Sequence, residues 1–170
     1  IVIEPDDTKI HRLALNSGYV EKALRYLHAL QLMALLIRPA ALEAALRFTR
    51  DELDELADRF TSPGSAYLAD MLEAILKHTT LEPLYVILSE TNHLLEWGHH
   101  FAYYPSKRRT LSHLNKQVIA AFRQLNQGNA DSFADGIADC YCYILVCMKK
   151  HMTEKYKFSN ASNIRIPEKY

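Results

Sequence analysis

The chain has 170 residues, enough for one domain with a substantial core, and a formal net charge of zero. That balance excludes a strongly basic nucleic-acid-gripping surface. The Lys107-Arg108-Arg109 cluster reads as a solvated helix face. With 49% hydrophobic residues and only 5 Gly and 6 Pro, the composition suits a helical globular protein. No uninterrupted apolar run reaches the roughly 18 residues of a membrane span, and no signal peptide is present.

Ile1 to Pro5 begins extended, and the absence of a start methionine suggests that a segment precedes it. Asp6 or Asp7 caps a short helix through Ile10, Leu13 and Leu15, which Gly18 closes. Tyr19 opens a long helix through Leu24, Leu27, Leu30, Leu35 and Leu42 to about Phe48, with Pro39 expected to kink or divide it. Thr49 and Glu52 form a capping box for a helix carrying Leu53, Leu56, Ala57 and Phe60. Ser62-Pro63 is the expected start of the next helix, to His78, with Leu68, Leu72, Ile75 and Leu76 inward. Thr80 and Pro83 start another, through Leu84, Leu88 and Leu95 to Phe101, before Pro105 breaks the chain.

Gly98 to Lys150 holds the clearest pattern: two long helices around Gln127-Gly128-Asn129-Ala130-Asp131. Leu111, Leu114, Val118, Phe122 and Leu125 form one apolar face, and Phe133, Ile137, Tyr141, Ile144 and Met148 form the other. Gly128 supplies a left-handed end and Asn129 an N-cap. The fold class is therefore all-α, an antiparallel bundle of about seven helices over 1–152, with 153–170 a loosely held tail.

No P-loop, dinucleotide-binding glycine pattern, nucleophile elbow or H-E-x-x-H is present, so nothing nominates an enzyme. Glu73, His78, Asn92, His93, His99, His100, His113 and Asp139 lie among apolar faces and read as capping, surface or hydrogen-bonded residues. Cys140, Cys142 and Cys147 share one helix, where Cys140 and Cys142 point apart. Reduced thiols in a cytoplasmic protein are the expectation, not a disulfide or a metal pair.

The order of these elements resembles the FadR-type (FCD) effector domain of GntR-family regulators. Ile1-Val2-Ile3-Glu4-Pro5 is similar to the exit from the family's winged helix. Leu32 to Phe48 followed by Thr49-Arg50-Asp51-Glu52-Leu53 resembles its first long helix and capped second helix. Thr79-Thr80-Leu81-Glu82-Pro83-Leu84 resembles its T-G-N-P-L turn. Gly98-His99-His100-Phe101, Pro105, Gly128-Asn129 and Ala134 resemble its closing hairpin.

The resemblance implies a homodimerising ligand sensor that meets DNA only through a winged-helix domain preceding Ile1. It also implies a small-metabolite ligand: a metal-bound carboxylate in many members, long-chain acyl-CoA in one branch. The family's metal-binding slots fall on Ala69, Glu73, Val118 and Cys140, and an anchoring arginine falls near Ala34. Ala69 and Val118 offer no ligand atom, so no metal or other cofactor is expected. The implied pocket lies between the hairpin and the helices of 63–101. It comprises Leu72, Glu73, Val118, Ile119, Phe122, Cys140, Tyr141 and Ile144, apolar enough for a hydrophobic metabolite such as acyl-CoA. Tyr141 and Ile144 stand in the slots of the glycine and serine of the acyl-CoA-binding branch, which implies either a smaller ligand or a cavity packed shut. Rival readings are a ligand-free helical dimerisation or interaction module, a metal-dependent carboxylate-sensing domain of the same family, and a metal-dependent enzyme in which Glu73, His78 and His93 converge.

Overall fold

A computed structural model describes residues 17–62, 64–96, 107–154 and 164–167. Among these residues every regular element is α-helical: α1 Ser17–Ala45, α2 Arg50–Arg59, α3 Tyr67–His78, α4 Glu82–Glu96, α5 Lys107–Asn126 and α6 Ala130–Glu154. The predicted stretches Ile1 to Pro5 and Ile10 to Leu15, and the residues Pro63, Gly98 to Phe101 and Pro105, lie outside the described residues.

Helix α1 is the axis of the bundle. It packs most extensively on α6 and then on α4 and α3. The reason is its side-chain pattern: Ala23, Tyr26, Leu27, Leu30, Met33, Ala34, Ile37, Ala40, Ala41 and Ala44 recur at intervals of three and four and are all buried. The many alanines in that stripe let neighbouring backbones approach closely. Gly18, expected to end a short helix, lies inside the first turn of α1, and the residues of that expected helix lie outside the described ones. Pro39 does not divide α1 either, since the helix runs through it to Ala45. Contacts with three partner helices hold α1 in place despite the lost backbone donor.

Leu35, predicted inward, is 46% exposed; Met33 and Ala34 occupy the core instead. Within α1, Ala23–Ala45 is long and apolar enough by composition to cross a membrane, a property the uninterrupted-run criterion overlooked. Half of its most apolar window is buried against the other helices, as expected for a central bundle helix.

The start of α2 follows its local code. The Thr49 hydroxyl accepts the Glu52 N–H at 3.3 Å, and the Glu52 carboxylate accepts the Thr49 N–H at 2.9 Å. The start of α4 is different from prediction. Thr80 does not cap it, but donates its N–H (3.2 Å) and its hydroxyl to Glu43 of α1. The Leu81 carbonyl takes the first helical bond, from Tyr85 at 3.0 Å, and Pro83 sits second in the helix.

The α5–α6 hairpin is closed by a Schellman motif. Gly128 has φ +79°, its N–H donates to the Leu125 carbonyl at 3.0 Å, and the Asn129 N–H donates to the Gln124 carbonyl at 2.9 Å. The Asn129 carbonyl accepts the Phe133 N–H at 3.0 Å, which places Asn129 at the cap of α6. Leu114, Val118, Phe122, Leu125, Phe133, Ile137, Tyr141, Ile144 and Met148 are all buried; Leu111 is half-buried. The two helices meet closely at Gly136, where a Cβ would stand 2.8 Å from the Ala121 Cβ. Arg38 adds a link from α1 to the first turns of α6, bonding Asp135 at 2.7 Å and Asp131 at 3.0 Å.

Part of the predicted tail is docked, not loose. Ile164 is buried, its carbonyl accepts the Lys149 ammonium at 2.6 Å, and the Arg165 carbonyl accepts the Gln31 amide at 2.8 Å. One buried apolar side chain and two backbone acceptors are enough to pin this stretch across α1 and α6.

Candidate cavity between the hairpin and helices α1, α3 and α4

A cavity of about 340 Å³ lies where α1, α3, α4, α5 and α6 meet. Tyr26 and Leu30 of α1 form one side, and Leu68, Ala69 and Leu72 of α3 the next. Gly64 and Ala66 close it from the α2–α3 turn, and Asn92 and Leu95 from α4. Thr110, Leu111, Leu114 and Asn115 of α5 and Tyr141 and Ile144 of α6 complete the wall. The wall is predominantly apolar, and among the described lining residues none is charged.

The α2–α3 turn is shaped by this wall. Helix α3 begins at Tyr67, with Ala66 at its cap and no side-chain cap of its own, so the predicted start at Ser62-Pro63 is too early. Asn115 of α5 supplies the missing partner. Its Oδ1 accepts the Tyr67 N–H at 3.2 Å and its Nδ2 donates to the Ser65 carbonyl at 2.8 Å. Gly64 sits at φ +84°, which lets the chain turn back before that clamp.

Of the predicted pocket residues, Leu72, Tyr141 and Ile144 line the cavity, as does Ala69. The others are elsewhere. Glu73 is exposed on the far side of α3, within 3.7 Å of Arg59 and 3.6 Å of Lys77, beside a charged cleft of only about 20 Å³. One residue along a helix is a rotation of about 100°, and here it turns Glu73 away from the cavity and toward Arg59 and Lys77. Val118 is fully buried, and Phe122 packs edge-on against Phe60 with centroids 5.2 Å apart. Ile119 packs half-buried against the core. Cys140 is buried, its thiol donating to the Gly136 carbonyl at 3.3 Å. Burial pushes that thiol up to about 12, so Cys140 is an inert core residue.

No disulfide joins Cys140, Cys142 or Cys147. His78 and Glu52 pair at 2.9 Å, with the Phe48 ring edge-on to the imidazole, whereas Glu73 and His93 are exposed. Glu73, His78 and His93 do not converge. Among the described residues no group of three or more His, Cys, Asp or Glu side chains comes together.

Sequence reasoning singled out Asn92 but not its place in a cavity, and it missed Thr110 and Asn115. Thr110 had a signal, since it precedes Leu114 and Val118 by four and eight positions on one helical stripe. Asn115 had none, because its role is to cap a helix that begins 48 residues earlier. No family model, curated protein or solved structure matches the chain.

Proposed function

We propose that this domain binds a small, mostly apolar metabolite in the cavity between the α5–α6 hairpin and α1, α3 and α4. The observation that carries this reading is the cavity itself: its volume of about 340 Å³ falls at the lower end of ligand sites, roughly 300–1,000 Å³. An apolar wall with a few polar points is the usual form of such a site. The volume favours an occupant smaller than a whole long-chain acyl-CoA. An engineered cavity of about 150 Å³ takes benzene, so one twice as large suits on the order of ten to twelve heavy atoms.

The biological role we assign is sensing. The order of elements resembling the FadR-type effector domain supports a cytoplasmic, homodimeric transcriptional regulator whose DNA contacts belong to a winged helix outside this chain. The cavity joins α1 to both arms of the hairpin, so an occupant that prefers one packing of α6 on α1 would shift that equilibrium. Thermal-shift and native mass spectrometry against fatty acids, acyl-CoAs, dicarboxylates and neutral apolar compounds test the binding. A bound small apolar compound with a raised Tm supports the reading, and no shift with any class removes it.

A second reading is favoured by exposed apolar side chains on and before α4, with Leu81, Val86 and Leu94 at 47–59% exposure. Here the chain is a helical interaction module that docks a second copy of itself on that face. Sedimentation equilibrium tests this, with Leu94→Glu expected to weaken the dimer.

A further inference from the structure

The polar points of the cavity carry an inference about what it takes, which rests on the binding reading above. Tyr141 is 4% exposed and Thr110 is 7% exposed, and both stand in the cavity wall. Neither hydroxyl has a hydrogen-bond partner among the described residues, and neither does the side chain of Asn92. Asn92 is half-buried, and a hydroxyl or amide that faces a largely apolar cavity without a partner is open to polar atoms that enter it. Asn115, the remaining polar side chain of the α5 wall, is already committed to Tyr67 and Ser65.

All three open groups are neutral, and no Lys, Arg or His stands in the described wall. Moving a carboxylate or phosphate out of water into such a site, with no cation to pair it, is strongly unfavourable. A hydroxyl, amide or ketone carries no such penalty and matches a phenol, a threonine hydroxyl and a carboxamide as partners. We infer that the cavity is built for an uncharged ligand: a compact apolar body with one or two neutral hydrogen-bonding groups directed at Tyr141, Thr110 and Asn92. This separates the site from one that grips an anionic head group. A carboxylic acid enters only in its protonated form.

The test uses probes with one apolar body and different heads, measured by isothermal titration calorimetry on the full chain: 1-octanol, octanamide and octanoate, with ethylbenzene as a headless control. At neutral pH octanol and octanamide should bind about tenfold or more tighter than octanoate. The apparent affinity for octanoate should rise as pH falls toward the carboxyl pKa of about 4–5, because the neutral acid is the species taken up. Tyr141→Phe and Asn92→Ala should each weaken octanol or octanamide by roughly fivefold to tenfold while leaving ethylbenzene unchanged. Circular dichroism checks that both variants fold.

Octanoate binding at neutral pH as tightly as octanamide would overturn the neutral-ligand inference and leave the cavity's binding function standing. Preference for the neutral heads that survives both substitutions would overturn the assignment to Tyr141 and Asn92. Failure of all four probes, ethylbenzene included, would remove the binding reading and this inference with it.

Discussion

Two turns in this molecule each contain a glycine with positive φ, Gly128 at +79° and Gly64 at +84°, yet they are held by different means. The α5–α6 turn is closed by its own backbone, through the bonds of Gly128 to Leu125 and Asn129 to Gln124. The α2–α3 turn has no comparable local closure at the start of α3 and borrows Asn115 from α5. The first turn is encoded within six residues, and the second depends on the packing of the bundle. The second is also the one that forms a cavity wall, so whatever fills the cavity presses on the less self-sufficient of the two. Regions that depend on few long-range bonds open most readily, as the proposed ligand site would require.

Removing the borrowed cap should break the second turn alone. Asn115→Ala leaves the Tyr67 N–H and the Ser65 carbonyl without their partner, at an expected cost of about 2 kcal/mol. Hydrogen exchange should speed up over 64–69 and remain slow over 124–133. Equal acceleration in both would mean that the turns are not independent.

The hairpin should yield instead to a change at its closest contact. In Gly136→Ala the new methyl meets the Ala121 Cβ at 2.8 Å, so the helices must separate. Overpacking of this kind costs about 1–3 kcal/mol, offset by about 1 kcal/mol of improved helix propensity, for a net loss near 1 kcal/mol or somewhat more. Urea denaturation should show that loss, and the double variant Gly136→Ala with Ala121→Gly should recover most of it.

Gly128→Ala meets no atom within 4 Å, so its cost is conformational only, about 1 kcal/mol for a left-handed alanine. Gly64→Ala, equally free of neighbours, should cost a similar amount. A much larger loss at Gly64 would show that the borrowed turn is under additional constraint.

The smallest expected effect is a pH dependence at the α2 cap. The Thr49 N–H holds the Glu52 carboxyl below its usual range, helped by the Thr49 hydroxyl and by His78. A depressed carboxylate contributes stability above its unfolded pKa of about 4.5 and loses it as pH falls through the folded value. Tm should therefore decline below about pH 4.5 more steeply in the native chain than in Glu52→Gln.

The hairpin and the Thr49 cap were legible because their causes are local. Stripes at three and four positions, a glycine followed by asparagine, and a Thr-x-x-Glu motif act within one or two helical turns. The α3 start was misplaced by the same reliance on local signals, since Ser62-Pro63 is a good cap sequence but Asn115 fixes the actual one. Leu35 and Glu73 failed for a related reason. Apolar character or a slot in a family pattern does not say which side of a helix faces the core or the cavity, because that depends on the helices packed around it.

By itself the sequence determined that this chain is helical, where the hairpin turns, and which faces of α5 and α6 are buried. Helical periodicity and capping are properties of neighbouring residues, and the chain carries them into any tertiary setting. Only the tertiary structure decided that α1 is the central helix, that 164–167 returns across it, and that Asn92, Thr110 and Tyr141 face one cavity. Those outcomes depend on how five helices of unequal length fill space together, a sum that no single segment contains.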